Sequence, residues 1–148
     1  MRALVLKRLR AFYRRIRQVG LTAAGNPENQ DRGLVLQDGS AEIFGASVGD
    51  SGAWLIPQNG THLDLTQGQQ RKPFIGSGSA WSVPFRHQMQ GGSLLLATDG
   101  LLKYASAERI IETCRQHPTE SAAQRLIELV RYASGALPDD VTLILARL

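Results

Sequence analysis

A single cysteine, Cys114, stands in 148 residues. One thiol excludes an internal disulfide and a cysteine-rich zinc site, and it fits a reducing compartment. No apolar run approaches the ~20 residues of a bilayer span. The first twenty residues also lack the long uninterrupted apolar stretch of a secretory leader. A cytoplasmic protein is therefore expected. The three histidines, His62, His87 and His117, share no metal-ligand spacing and read as structural or surface residues. No internal repeat or low-complexity tract is present. A hydrophobic content of 43% with 20% charged residues is that of an ordinary globular chain, long enough for one domain with its own core.

Acidic residues are missing from one region. Residues 1–20 hold Arg2, Lys7, Arg8, Arg10, Arg14, Arg15 and Arg17 and no Asp or Glu, while the rest of the chain has ten basic and thirteen acidic side chains. The net charge of +4 is thus a property of the tail and does not mark the whole protein as a nucleic-acid binder. Val5, Leu9, Phe12, Ile16 and Val19 recur at spacings of three and four, so residues 1–19 fit an amphipathic helix. The favoured reading docks this stripe on the domain and leaves the arginines in water. The other lays the helix on anionic membrane or nucleic acid. The division is a basic segment, 1–20, and a domain, 21–148.

Along the domain, residues 22–31 read as a loop around Gly25, Asn26 and Pro27. Leu34, Val35 and Leu36 form a short strand, and Asp38-Gly39 is a hairpin signal leading to a return strand over 41–48. Gly49-Asp50-Ser51 breaks that strand, and Ala53, Trp54, Leu55 and Ile56 resume. Asn59-Gly60 turns the chain into a short partner strand over 62–65. Residues 33–65 thus look like an antiparallel meander, with Trp54 in the core. Residues 67–92 show no clean period and read as a long loop or flap carrying Arg71, Lys72, Trp81 and Phe85. Trp81 suits a substrate contact or a clamp on the core equally well. Leu94 to Ala97 is a buried strand that stops at Thr98-Asp99-Gly100, with a helix-like segment after it. Two helices follow, one from an N-cap at Ser106 to His117 and one from Glu120 to Tyr132. Residues 141–146 close the fold as a strand. The class is α+β.

Carboxylates mark the strand ends. Asp31 precedes a strand, Asp99 follows one, and Asp139 and Asp140 precede another. In an antiparallel sheet such ends can converge on one edge. A set of Asp oxygens with no Cys or His partner suits a hard divalent cation, Mg²⁺ or Mn²⁺. A pair of such ions activates water and stabilises a phosphoryl group in in-line displacement. Arg71 and Lys72 could contact a phosphopeptide, although solvated loop charges are the commoner state of such residues.

Four blocks, in order, resemble those of the metal-dependent type-2C protein serine/threonine phosphatases, the PPM family. NPENQDR at 26–32 is similar to the family's first acidic block, and SVGDSGAWLI at 47–56 to its V-G-D-S-R-A strand and turn. LLLATDGLL at 94–102 is similar to its L-A-T/S-D-G block, and LPDDVTLIL at 137–145 to its closing strand. The resemblance covers most of residues 24–148. It implies a reduced form of the family's α-β-β-α sandwich and phosphoprotein substrates. It also implies two Mn²⁺ or Mg²⁺ ions, with Asp31, Asp99 and Asp139 as ligands and Asp140 matching the neighbour of the last. Gly100 would lie with its backbone near the site, and Asp50 would face a weaker third ion. Phosphoserine or phosphothreonine would be attacked by metal-activated water, without a phosphoenzyme. Cys114 would take no part, and no Arg stands six residues after it as a cysteine-dependent phosphatase loop requires.

The departures are as specific. The family's Asp-Gly-x-Gly-Gly block, source of the ligand that bridges both ions, is missing. Asn26 and Gly52 stand where the family has arginines, and Lys103 where it has an acid. The chain therefore reads as an internally shortened member with one helical layer lost. Sheet surface uncovered by that loss must be buried by something, either the N-terminal stripe or a second copy. The alternative function is a catalytically weak or inactive regulatory or phosphopeptide-binding relative.

Overall fold

Leu94, Leu95 and Ala97 are buried in one strand, and Val141, Leu143, Leu145 and Ala146 in another. These two strands form the middle of the larger sheet. The computed structural model describes the backbone of residues 18–24 and 32–37, and whole residues over 42–69, 79, 81–88 and 91–147. The strands are β1 (Gln18–Ala24), β2 (Arg32–Gln37), β3 (Glu42–Val48), β4 (Gly52–Ile56), β5 (Leu63–Asp64), β6 (Val83–Gln88), β7 (Ser93–Ala97) and β8 (Val141–Arg147). The helices are α1 (Asp99–Leu102), α2 (Ala107–Gln116) and α3 (Thr119–Glu128).

A five-stranded sheet runs β1-β8-β7-β4-β5 and a three-stranded sheet runs β2-β3-β6. Every pairing is antiparallel. The period of two along each strand sorts the side chains between two cores. Leu95, Ala97, Val141, Leu143 and Leu145 pack with Ile110, Cys114, Ala122, Ala123, Leu126 and Ile127 of α2 and α3. Leu55, Leu94 and Ala146 point the other way and meet Ile43 and Phe85 of the smaller sheet. The layers are helices, larger sheet, smaller sheet. The buried hydrophobic residues of all three described helices belong to the first core.

The helices end where the sequence can satisfy their backbones. The Ser106 hydroxyl accepts from Arg109 N at 3.4 Å, capping α2. At the other end of α2, Arg147 donates to the Cys114 and His117 carbonyls at 2.7 and 3.2 Å. Cations suit that end of a helix. Arg115 donates to the Pro57 and Gly60 carbonyls and ties α2 to the turn after β4. On β6, Pro84 pairs opposite Ala46 and Arg86 opposite Phe44. Arg86 grips Glu42 with two bonds, at 3.2 and 2.6 Å, and lies 5.0 Å over the Phe44 ring. No helix among the described residues is long and apolar enough to cross a membrane.

Several expectations change. The N-terminal helix was expected to reach residue 19, but Gln18 and Val19 belong to β1, because the whole of residues 18–24 pairs with β8. Residues 1–17 lie outside the described residues. The loop expected over residues 22–31 does not include Thr22 to Ala24, which continue that ladder, and residues 25–31 lie outside the described residues. The single meander is split in two. β2 and β3 form one ladder, β4 and β5 another, and the chain changes sheets at Gly49-Asp50-Ser51. Gly49 has φ +103° there, a conformation that costs a side-chain-bearing residue strain. The long aperiodic stretch contains β6, whose pattern in VPFRHQ is masked by a proline and a charge. The second helix stops at Glu128 rather than Tyr132, because Val130 N bonds Ile127 O three residues back and Tyr132 N bonds Ala136 O in the next turn.

Burial pushes the Cys114 thiol up to about 12, against the opposite pull of Arg147 and Arg115. Below about pH 9 the thiol is neutral in both folded and unfolded chains. Above it, the unfolded chain releases the proton while the folded chain holds it, so stability falls as pH rises from 9 toward 12. Urea unfolding midpoints across that range should decline more in the wild type than in Cys114→Ala, and Cys114 should resist thiol reagents until the protein unfolds.

Candidate functional site

The register fixes which turns share an end of the sheet. Gly52 pairs with Ala97, Ala97 with Leu143, and Leu143 with Thr22. Asp50 therefore enters, Asp99 leaves, and Asp139-Asp140 enter at one end of three neighbouring strands, which lie about 4.8 Å apart. In the smaller sheet Arg32 pairs with Val48, so β2 starts beside the same Gly49-Asp50 turn.

Thr98 joins two of these turns. Its N–H donates to Thr142 O at 3.0 Å, and its hydroxyl accepts from Thr142 N at 3.1 Å while donating to Asp140 O at 2.9 Å. One buried residue thus ties the last step of β7 to the first of β8. Gly100 completes the contact: a Cβ there would overlap the Asp140 carbonyl oxygen and press on Asp139 Cβ. The sequence places a glycine after Asp99 because the 139–140 backbone occupies the space of a side chain. Asp139 is exposed, and its Oδ1 accepts from Asp140 N at 2.8 Å, which closes a tight local turn.

The Asp50 turn is held at two points. Gly52 packs against Leu102 of α1, so a Cβ at 52 would strike that side chain. One residue earlier, Ser51 O accepts from Gln69 Nε2 at 2.6 Å. Gln69 is itself seated by Thr66, whose carbonyl accepts from Gln69 N at 2.9 Å. Thr66 is buried, accepts from Ala53 N through Oγ1 at 3.2 Å, and donates its hydroxyl to Asp64 Oδ1 at 2.6 Å.

The expected residues divide accordingly. Asp50, Asp99, Gly100, Asp139 and Asp140 come to one end of the larger sheet. Asp31, Arg71 and Lys72 lie outside the described residues. Among the described residues, no group of three His, Cys, Asp or Glu side chains is close enough to hold a metal ion. The turns that share this sheet end carry carboxylates, hard oxygen donors whose chemistry fits Mg²⁺ or Mn²⁺ and not a soft metal. Sequence reasoning assigned no role to Thr98 or Gln69. The only signal for Thr98 was its place between strand and Asp-Gly, and Gln69 was hidden in a glutamine-rich patch.

No family model and no curated protein matches the chain. Solved structures do. The serine/threonine phosphatase PstP of Mycobacterium tuberculosis superposes with a TM-score of 0.65 at 24% identity, over 77% of this chain and 57% of that one. The chain has the PPM-phosphatase fold. The phosphatase Stp1 of Staphylococcus aureus gives 0.64 at 21% over 77% of this chain and 54% of that one. PppA of Pseudomonas aeruginosa gives 0.65 at 16% over 79% of this chain and 56% of that one. The chain spans about half the length of the solved structures it matches. One of those structures, the PstP catalytic domain, is in complex with two manganese ions. The part of the PPM fold that this chain spans includes the sheet end where the Asp50, Asp99 and Asp139 turns emerge.

The Gly100 contact is directly testable. Gly100→Ala forces a methyl group onto the Asp140 carbonyl, so α1 or the 139–140 turn must move. Urea denaturation should show a loss of about 1–3 kcal/mol, the usual range for overpacking.

Proposed function

We propose that the protein is a metal-dependent phosphoprotein phosphatase domain, hydrolysing serine and threonine phosphate monoesters. The observation that carries this reading is the convergence of the Asp50, Asp99 and Asp139-Asp140 turns on one end of the five-stranded sheet. The PPM-type fold supports it.

In this reading Asp99 and Asp139 would each hold one divalent ion, Asp31, which precedes β2 in the sequence, would contribute a further carboxylate, and Asp50 would hold a weaker third position. Two Mg²⁺ or Mn²⁺ ions, when bound, would acidify a water molecule and neutralise developing phosphoryl charge. The protein's own part is placement. Thr98 keeps the Asp99 and Asp140 backbones at fixed separation through three hydrogen bonds. Gly100 lets them approach. Asp139, exposed and with one oxygen engaged by Asp140 N, keeps its other oxygen for a ligand at the surface. Arg71 and Lys72 are proposed to receive the substrate phosphate, in place of the arginines that Asn26 and Gly52 replace.

A second reading, a catalytically weak relative that binds phosphopeptides, is supported by the missing Asp-Gly-x-Gly-Gly block and by Lys103 at an acidic position. Fewer carboxylates leave the charge of two ions less compensated.

Hydrolysis of p-nitrophenyl phosphate with and without Mn²⁺ separates the two. The enzyme reading expects metal-dependent turnover that drops by about 100-fold or more in Asp99→Asn and Asp139→Asn, at least the loss typical of a disturbed metal shell. Turnover absent in the wild type, with phosphopeptide still bound in calorimetry, would establish the second reading instead.

A further inference from the structure

Gln69 carries two features that do not belong to ordinary loop packing. Its Nε2 donates to Ser51 O at 2.6 Å, a short bond to the backbone just after Asp50. Its Oε1 is buried and has no hydrogen-bond partner among the described residues. Rotating the amide would not relieve this, because it would set Oε1 against the Ser51 carbonyl oxygen, acceptor against acceptor. An unmet buried acceptor costs roughly 1–3 kcal/mol. Such a group calls for an explanation other than stability.

The surroundings supply one. The Asp64–Thr66–Gln69 segment is fastened to β4 at successive points. Leu65 N donates to Ala53 O at 2.8 Å, Ala53 N donates to Thr66 Oγ1, and Gln69 reaches Ser51. Asp64 anchors the strap, its Oδ1 accepting from both the N–H and the hydroxyl of Thr66. The strap therefore grips the first residues of β4, where Leu102 and Thr66 Oγ1 both lie close to Gly52. The residue left between these supports and the φ +103° turn at Gly49 is Asp50.

We propose that Gln69 is a positioning residue for Asp50: its carboxamide fixes the Ser51 peptide and so sets where the Asp50 carboxylate is presented. The clamp itself is independent of the catalytic assignment. Its consequence for metal binding rests on the phosphatase reading.

Gln69→Met keeps the side-chain length and removes both ends of the amide, including the unmet acceptor. Its melting temperature should equal or exceed that of the wild type. In the metal-free protein, amide exchange at residues 50–53 should rise about tenfold while β7 and β8 stay protected. The Mn²⁺ dissociation constant by calorimetry should weaken by about tenfold, the lower end of effects seen when residues behind a metal ligand are changed. Gln69→Glu, which cannot donate to Ser51 O, should reproduce the exchange effect if Gln69→Met folds poorly. Unchanged exchange at residues 50–53 in both variants would overturn the proposal, and so would an increase spread evenly over the larger sheet. If the wild type binds no Mn²⁺, the phosphatase reading fails, and the exchange comparison alone decides the clamp.

Discussion

The hydroxyl of Thr98 is the joint on which the acidic end of this molecule depends. β7 and β8 would pair without it, since their ladder runs from Ser93 to Ala97. What the ladder cannot do is govern the chain beyond its last rung, where one strand turns into α1 and the other arrives from a loop. Thr98 extends the pairing by one step with a side chain, accepting from Thr142 and donating to Asp140. The hydroxyl is buried, and both its donor and acceptor capacity are used, which makes it worth more than a surface hydrogen bond. Two segments far apart in sequence become one rigid rim, and Gly100 determines how closely its halves approach.

Much of this was legible beforehand. Leucine-rich runs at 94–97 and 141–146 gave strands because nothing in them competes with burial on both faces. Ser106 announced a helix because its hydroxyl can do nothing better there than cap one. The acidic turns could be picked out as strand ends, and the register brings three of them together. The rest was hidden for physical reasons. Whether β4 continues the sheet of β3 or joins another depends on where Gly49 sends the chain, and a glycine permits either. β6 was missed because Pro84 and Arg86 interrupt its alternation, though the strand forms with Phe85 inward and Arg86 outward. Gln69 was illegible because its role is to reach a backbone carbonyl eighteen residues away, a contact that leaves no periodic trace.

Among the described residues one helical layer is present, and it has a clear task. α2 and α3 seal the larger sheet, and Arg115 of α2 and Arg147 of β8 knit helix carbonyls and loop carbonyls together. These contacts lie at the end of the sheet opposite the acidic turns. The molecule is thus fastened at one end by cations on carbonyl oxygens and presents carboxylates at the other. The fasteners do not compete electrostatically with the anionic end for the same ligands.

The smaller sheet carries a consequence of its own. β6 is one of its two outer strands among the described residues, and an outer strand offers its unpaired backbone to any passing chain. Proline in a sheet sits with its nitrogen on the open side, so Pro84 removes a donor from that border. Arg86 is held to Glu42 and over Phe44, and two-thirds of its side chain is in water. A neighbour adding a strand there would forfeit a ladder bond and strip water from a guanidinium. The described edge of the smaller sheet is thereby guarded against edge-to-edge aggregation.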